Sequence, residues 1–365
     1  MNAAVRIPFL SLEPGEDADA VRDAIDRVIV RGWFVLGPEL ERFEEAFAAE
    51  MGARHAVGVG NGTDALVLIF RALGIGPGDE VITTALSAAY TALAVALVGA
   101  RPVFADIDPA RYTLDPRAVE ALIGPRTRAV LPVHLYGQPA AMQAFEHLST
   151  KHHLALVEDC CQAHLSTAEG RPVGTIGIAG AFSFYPTKNL GALGDGGAVV
   201  TNDAALAGRL RRLRNGGQVD RYRHQEIGAN SRLDEMQAAI LAVRLPRLKH
   251  WTERRRALAN QYRVALSGSP VALPAECDAG HVYHLFVVRS RDRDALQRRL
   301  RAEGIETLVH YPIPISRQEA FAPFDPGPCP AAERACDEVV SLPLNPRMTP
   351  DDVAAVAAAV QKGQP

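Results

Sequence analysis

The sequence has few cysteines, few aromatic residues and no excess of positive charge. Its 365 residues include five cysteines without Cys-x-x-Cys spacing, so no disulfide framework is predicted and a reducing cytoplasm is expected. The net charge of −3 gives no reason to expect nucleic acid or an anionic membrane as a partner. No charged segment followed by an apolar run opens the chain, so no signal peptide is predicted, and its apolar runs stay below the roughly 18 residues that a membrane helix needs. Its histidine pairs form no pattern with cysteine or carboxylate, so no metal site is predicted.

The composition, 48% hydrophobic and 22% charged, allows a large core and two domains. Apolar runs near 80–84, 101–107, 128–135, 154–159, 180–185 and 197–202 predict strands. Helix-like stretches at 88–98, 139–150 and 203–214 alternate with them, which is typical of a mainly parallel sheet. A long helical pattern over 234–266, interrupted at Pro246, is predicted to link the domains. We therefore expect a large α/β domain over 1–248 and a smaller α+β domain over 249–365.

The most informative segment is AFSFYPTKNL, residues 181–190. It places Ser183 five residues before Lys188, between an apolar run and a glycine cluster. A partly desolvated lysine has a lowered pKa, and its neutral amine can form a Schiff base with an aldehyde. Pyridoxal phosphate is the obvious aldehyde. It carries a phosphate, a pyridine nitrogen and a phenolic oxygen, so its site needs an anion cradle, a carboxylate and a hydrogen-bond donor.

The segment GVGNGTD, residues 58–64, precedes apolar residues at helical spacing and predicts a strand, a glycine turn and the start of a helix. Backbone N–H groups at a helix N-terminus attract phosphate, Gly62 allows close approach, and the Thr63 hydroxyl adds a donor. A tight turn without any ligand would show the same pattern. A nicotinamide-binding turn would need a third glycine where Thr63 stands.

Asp159 follows the apolar run 154–157, at the carboxyl end of a predicted buried strand, where α/β sheets place ligands. A carboxylate there can keep a pyridine nitrogen protonated. Gln162 follows within one turn, so its amide could approach the phenolic oxygen, although a surface glutamine would have the same spacing. Glu158 would face the other way along the strand and is interpreted as structural.

Several further segments stand in a fixed order along the chain: GWFVLGP (32–38), GNGTDAL (60–66), GPGDEVI (76–82), VEDCCQAH (157–164), GDGG (194–197) and GANSRLD (228–234). Together with residues 182–190 they resemble the DegT/DnrJ/EryC1/StrS family of pyridoxal-phosphate sugar aminotransferases. The resemblance runs through nearly the whole chain. It implies the aspartate-aminotransferase-like fold, fold type I of the pyridoxal-phosphate enzymes, with a large mainly parallel sheet domain and a smaller C-terminal α+β domain.

The resemblance also assigns roles to individual residues. It implies that Lys188 is the Schiff-base lysine, that Asp159 is the partner of the pyridine nitrogen, and that Gln162 contacts the ring oxygen. Gly62, Thr63 and Ser183 would bind the phosphate. Asn230 would reach the phosphate of the neighbouring subunit, so that the active site exists only in a homodimer.

The implied activity is amino transfer, with L-glutamate as donor and a nucleotide-linked keto-sugar as acceptor. Residues 188–197 resemble members that aminate carbon 3 of dTDP- or UDP-linked sugars. Some dehydratase relatives have histidine where Lys188 stands, so the lysine favours transamination over dehydratase-like chemistry. Two further functions are compatible with parts of the pattern. One is a non-catalytic, cofactor-binding regulatory protein, and the second is a nicotinamide-dependent oxidoreductase, which would leave Lys188 unexplained.

Three positions depart from the family pattern. Ala88 stands where an aromatic residue often stacks on the cofactor ring, and Tyr90 is displaced from that place. Ser316 replaces a usual histidine in the segment 310–318. Asn345, between two prolines that follow the pattern, is interpreted as a turn residue.

Overall fold

The structure of the protein, a computed structural model, describes residues 5–362. The strands are β1 (His55–Val59), β2 (Glu80–Thr84), β3 (Arg101–Ala105), β4 (Thr127–Leu131), β5 (Ala155–Asp159), β6 (Thr167–Ala168), β7 (Arg171–Pro172), β8 (Ala179–Ser183), β9 (Gly197–Thr201), β10 (Gln218–Asp220), β11 (Arg223–His224), β12 (Phe286–Arg289) and β13 (Val339–Leu342).

The α-helices are α1 (Ala18–Arg31), α2 (Pro38–Glu50), α3 (Gly62–Ala72), α4 (Tyr90–Leu97), α5 (Pro116–Glu120), α6 (Met142–His152), α7 (Ala204–Leu213), α8 (Glu235–Arg244), α9 (Leu248–Ala265), α10 (Arg293–Ala302), α11 (Pro330–Glu338) and α12 (Pro350–Gln361). Within the described residues 5–362, none of these helices combines the length and the apolar character that crossing a membrane requires.

Seven strands form the main sheet in the order β1-β9-β8-β5-β4-β2-β3. Strand β9 runs antiparallel to both of its neighbours, whereas β8, β5, β4, β2 and β3 pair in parallel. All six strands predicted from apolar runs belong to this sheet. The expected α/β fold class is therefore confirmed, and the antiparallel β9 explains why 180–185 and 197–202 follow each other without an intervening helix.

The sheet is buried on both faces because successive side chains of a strand point in opposite directions. Val57 and Val157 pack on the face covered by α3 and α7, whereas Ala56 and Leu156 pack on the opposite face with residues of α2, α6 and α8. Strands buried on both sides need continuous apolar runs, which is why the sequence revealed them so clearly. The rigid sheet that results fixes the ends of its strands.

Strand β4 is shorter than predicted, because Pro132 follows it and has no N–H group for the ladder. Helices α1 and α2 were not predicted, although Val21, Ala24 and Val28 show the spacing of a buried helical face. The predicted interruption at Pro246 lies in a short 3-10 turn, Leu245–Arg247, between α8 and α9.

The later part of the chain pairs β12 with β13 and packs α9, α10 and α12 around a separate apolar cluster. Ile7 belongs to the same cluster and pairs with Ile305, so the N-terminal segment reaches this part of the molecule. We propose the division at residue 248 as the domain boundary. Another cluster joins Leu86 and Tyr136 to Leu285 and Ile315, and so connects the two parts beside the site described next.

Candidate active site

The candidate residues meet at one edge of the main sheet. Asp159 ends β5 and Ser183 ends β8, while Gly62 begins the helix that follows β1 and Lys188 lies in the loop after β8. These three strands point the same way, so their carboxyl ends lie at a common edge. A Cβ atom on Gly62 would lie 2.7 Å from the Cys161 Sγ and 3.0 Å from the Ser183 Cβ. The phosphate-turn and lysine-loop motifs are therefore in contact.

The N-terminus of α3 can bind an anion. The Asn61 side chain caps the helix by accepting a hydrogen bond from the Asp64 N–H at 2.9 Å. The backbone N–H groups of Gly62 and Thr63 have no acceptor among residues 5–362. Free N–H groups and the positive end of the helix dipole favour phosphate. Ser183, whose Oγ accepts from the Tyr185 N–H at 3.3 Å, adds a hydroxyl next to Gly62.

Asp159 is 4% exposed and is held by two donors. Its Oδ2 accepts a hydrogen bond from the Thr91 hydroxyl at 2.7 Å, and its Oδ1 accepts from the Cys161 N–H at 3.1 Å. Thr91 lies in the first turn of α4 and is itself buried. These two hydrogen bonds orient the carboxylate and offset part of the cost of burying it.

Gln162 is held at both ends of its amide. Its Oε1 accepts from the Tyr136 N–H at 2.7 Å, and its Nε2 donates to the Tyr311 hydroxyl at 3.1 Å. Tyr136 has a φ of 60°, a conformation that is uncommon for residues other than glycine. Its own hydroxyl donates to the His310 carbonyl. The amide is therefore fixed by groups from both parts of the chain, and the alternative of a surface glutamine is excluded because Gln162 is buried.

Burial lowers the pKa of Lys188, and the neighbouring Cys161 thiol and Asp159 carboxylate partly oppose that shift. A lower pKa increases the fraction of neutral, nucleophilic amine near pH 7. The loop after β8 brings the lysine close to these two side chains. Lysine, carboxylate and anion site therefore lie at the same edge of the main sheet.

The histidines around Lys188 are neutral. Burial and the lysine charge lower the pKa of His164 to about 3 and that of His310 to about 4. His284 is shifted well below its ordinary pKa for the same reasons, and its Nδ1 lies 3.1 Å from the Asn189 Oδ1. Between pH 5 and 8 these rings add no positive charge beside the lysine.

The structure brings together Gly62, Asp159, Gln162, Ser183 and Lys188, with Thr63 next to Gly62. Asn230 is exposed and pairs with Asn215 in a segment outside the main sheet. Sequence reasoning missed Thr91, Tyr136 and Tyr311. Their hydrogen bonds join segments 68, 26 and 149 residues apart, and no local pattern encodes such pairs.

The three departures also have defined places. Ala88 is partly buried, and Tyr90 is 65% exposed at the start of α4. Ser316 is buried near Cys329, whose thiol pKa it helps to lower against the larger effect of burial. The Asn345 Oδ1 accepts from the Arg347 N–H at 3.0 Å, as expected of a turn residue.

Glu158 has the structural role predicted for it. Its carboxylate accepts from the N–H groups of residues 174, 176 and 177 and lies 3.1 Å from the His134 Nε2. With Cys160 these two side chains form a close group of potential metal ligands. The Glu158 oxygens are already occupied by protein donors, and burial raises the pKa of the Cys160 thiol well above its usual value. We assign no metal to this group.

The site fits pyridoxal phosphate. The open N–H groups of α3 match its phosphate, the carboxylate of Asp159 matches its pyridine nitrogen, and the amide of Gln162 can reach its ring oxygen. Lys188 offers an amine with a lowered pKa. The close packing of Gly62 leaves no room for a larger side chain at the anion cradle.

Comparisons with known proteins point the same way. Residues 16–361 match the DegT/DnrJ/EryC1/StrS aminotransferase family. A dTDP-3-amino-3,4,6-trideoxy-alpha-D-glucose transaminase of Streptomyces venezuelae is 49% identical over 98% of this chain and 96% of that protein. The erythromycin biosynthesis sensory transduction protein EryC1 of Saccharopolyspora erythraea is 47% identical over 98% of this chain and 99% of its own. The crystal structure of S. venezuelae DesV in complex with a ketimine intermediate has a TM-score of 0.96 and 48% identity, covering 98% of each chain.

Proposed function

Because the chain belongs to the DegT/DnrJ/EryC1/StrS aminotransferase family, we propose that it transfers an amino group from L-glutamate to carbon 3 of a dTDP-linked keto-sugar, in the biosynthesis of an amino sugar. It is an aminotransferase of fold type I, and its cofactor is pyridoxal 5'-phosphate. The observation that carries the proposal is the convergence of Lys188, Asp159 and Gln162 beside the α3 N-terminus. The carbon-3 assignment is supported by the 3-amino sugar in the name of the S. venezuelae relative.

When bound, pyridoxal phosphate supplies an aldehyde that accepts amino groups and a ring that withdraws electrons. The α3 N-terminus and Ser183 would hold its phosphate, and Asp159 would hold a proton on the ring nitrogen. Thr91 and the Cys161 N–H keep that carboxylate in place. Gln162 would donate a hydrogen bond to the ring oxygen.

Lys188 would act first as the group that holds the cofactor and then as a base. A lowered pKa favours the neutral form of its Nζ, which would take the proton from the carbon that bears the donor's amino group and pass it to the cofactor. The neutral histidines nearby add no positive charge beside this amine. The donor would leave as its keto acid with its nitrogen retained in the site, and the keto-sugar would then bind and receive that nitrogen. This order predicts ping-pong kinetics.

We also propose a homodimer with shared sites. Apolar side chains are exposed next to the lysine loop, among them Trp33 (54%), Phe34 (52%) and Leu193 (41%). The pairing of Val35 with Asp234 and the hydrogen bond of the Leu193 N–H to Gln237 place these side chains beside the start of α8. Exposed apolar patches of this kind mark interaction surfaces. A second copy of the chain would cover the patch, and its Asn230 would complete the phosphate site.

The test of amino transfer is a half-reaction. Cofactor-loaded protein is mixed with L-glutamate while the visible absorbance of the cofactor is followed, and dTDP- and UDP-linked 3-keto and 4-keto sugars are then added singly. We expect glutamate to remove the absorbance and one dTDP-linked 3-keto sugar to restore it. The Lys188→Ala variant should show neither change. Recovery with a 4-keto sugar alone would refute the carbon-3 assignment.

A regulatory role is the second candidate, because the name of the EryC1 relative describes a sensory transduction protein. Such a protein would bind the cofactor without turnover. A bound cofactor that glutamate and other amino donors leave unchanged would favour this role. Loss of a sugar oxygen without incorporation of nitrogen would instead indicate dehydratase-like chemistry.

Shared sites are tested by subunit complementation. Lys188→Ala and Asn230→Ala are each purified, mixed and allowed to exchange subunits. If Asn230 serves the partner's site, each mixed dimer contains one intact site, and about a quarter of all sites become active. Activity that stays at the level of the separate variants would refute shared sites, provided that exchange of labelled subunits is observed.

A further inference from the structure

A cavity of about 420 Å³ adjoins the lysine loop. It is bounded by the N-terminal segment 10–17, the loop segment 186–191, helix α9 and the turn 345–347. Lys188 and Asn189 line it, whereas Thr63, Asp159, Gln162 and Ser183 do not. Its volume is in the range of small-molecule sites. The cavity therefore adjoins the proposed cofactor site at Lys188 and does not include the other residues named for that site.

Arg255 is the most unusual residue of this cavity. It is 4% exposed, yet no carboxylate pairs with its guanidinium within residues 5–362. Its Nη1 donates to the carbonyls of Leu344, His284 and Tyr283 at 2.9, 3.4 and 3.5 Å. Its Nε is buried without an acceptor, and its Nη2 has none among the described residues. A buried cation with unused donors is costly unless an anion or water completes its hydrogen bonds.

A purely structural arginine does not explain these donors. One nitrogen is enough to hold the three carbonyls together, so the remaining N–H groups are free for another partner. Burial lowers the pKa of Arg255 to about 10, which still leaves the side chain charged at neutral pH. The cavity therefore contains a fixed positive charge whose Nε and Nη2 groups are unused hydrogen-bond donors.

The carboxylates that line the cavity make no ion pair with Arg255 within residues 5–362. Asp17 pairs with Arg244 at 2.7 Å, and the Glu16 carboxylate accepts from the Trp251 Nε1 at 2.7 Å. Glu13 and Glu16 are exposed side chains of the N-terminal segment. Arg347 donates to the Ser11 hydroxyl and to the Glu13 carbonyl, both neutral acceptors.

Arg254 also lines the cavity and has no hydrogen bond or ion pair within the described part of the chain. Two guanidinium groups that line one cavity without carboxylate partners suit an oxyanion, which arginine binds through paired N–H donors. From these observations we infer that the cavity binds a small carboxylate or phosphate anion through Arg255 and Arg254. The bound anion would connect α9 to the lysine loop and the N-terminal segment.

Binding is tested on the cofactor-loaded enzyme by calorimetric titration with two probes in separate arms, inorganic phosphate and 2-oxoglutarate. Chloride at equal ionic strength corrects for screening. We expect at least one probe to bind saturably, with one site per chain. Binding of phosphate alone identifies a phosphate group as the ligand, and binding of 2-oxoglutarate alone identifies a dicarboxylate. The absence of saturable binding in both arms overturns the proposal.

Variants separate this cavity from the cofactor site, where 2-oxoglutarate could also bind. Arg255→Met should weaken binding about 10- to 100-fold, and Arg254→Met by at least about 5-fold. Arg254→Met removes no hydrogen bond to residues 5–362, so it should leave the fold intact even if Arg255→Met does not fold. Arg298→Met removes an exposed arginine of α10 and should not change the affinity. Equal affinity in wild type and Arg254→Met would overturn the assignment to this cavity.

Discussion

Replacement of Gly62 by alanine should weaken cofactor binding by closing the anion cradle. The new Cβ would lie 2.7 Å from the Cys161 Sγ and 3.0 Å from the Ser183 Cβ, whereas ordinary contacts begin at 3.4 Å. The neighbours would have to move by up to about 0.7 Å in a region where both main-chain segments are fixed by the sheet. Overpacking of this kind costs about 1–3 kcal/mol.

The expected result is a dissociation constant for pyridoxal phosphate that is about 5- to 150-fold higher, because the displaced atoms belong to the surface that would contact the phosphate and the overpacking energy therefore reduces the binding free energy. It is measured by titrating cofactor-free protein with pyridoxal phosphate and following visible absorbance. Gly208→Ala is the matched control. Gly208 also lies in a helix, but its Cβ would meet only the Arg212 side chain at 4.0 Å. Alanine there should stabilise the protein by up to about 1 kcal/mol and leave the cofactor affinity unchanged.

A double variant tests the cause. Cys161→Ala removes the atom closest to the new Cβ, so Gly62→Ala should cost less in that background, by at least about 0.5 kcal/mol. The reasoning would be refuted if Gly62→Ala bound the cofactor as tightly as wild type. It would also be refuted if the loss were the same with and without Cys161, since the contact would then not be its source.

Three further predictions concern the hydrogen bonds and titrating groups around the site. Thr91→Val should lower the unfolding free energy of the cofactor-free protein by about 1.5–3 kcal/mol in urea denaturation, because the buried Asp159 carboxylate loses its donor at 2.7 Å. Thr91→Ser keeps a hydroxyl and should retain most of the wild-type unfolding free energy. Equal losses in the two variants would contradict this explanation. Tyr311→Phe removes the acceptor of the Gln162 amide and should raise the cofactor dissociation constant about 2- to 12-fold, whereas Tyr185→Phe, at an exposed ring, should not. His164 stays neutral in the folded protein because burial lowers its pKa to about 3, whereas the same histidine in the unfolded chain takes up a proton below about pH 6.5. As the pH falls from 6.5 towards 3, the unfolding free energy therefore decreases by about 1.4 kcal/mol per pH unit through this group. His164→Leu should therefore lose about 2 kcal/mol less than wild type between pH 7 and pH 5, and parallel pH profiles of unfolding free energy would rule this out.

The main sheet could be predicted because its strands are buried on both faces. Burial on two sides requires continuous apolar residues, such as those of 154–157 and 197–200, and such runs are visible without any tertiary information. The small pairs β6–β7 and β10–β11 were not predicted. They are only two or three residues long and depend on contacts made elsewhere in the chain.

The chemical groups of the site were also visible in the sequence, but their support was not. Asp159 and Ser183 end apolar strands and Lys188 follows one, and strand ends are where an α/β sheet exposes side chains. Thr91 and Tyr311 gave no signal, because each acts through one hydrogen bond to a residue far away in the chain. Arg255 was visible only as part of a charged run, which normally indicates a solvated helix face. Its burial depends on how α9 packs against the segments 283–284 and 344.

The sequence by itself determined the fold class, the cofactor and the order of the groups that would bind it, because each of these depends on local spacing or on apolar runs. Only the tertiary structure decided how those groups are held. The orientation of Asp159 and Gln162, the close packing of Gly62 against Cys161, and the unpaired donors of Arg255 all arise where separate segments meet. Contacts of this kind depend on distances in space, and a linear pattern of residues carries no record of them.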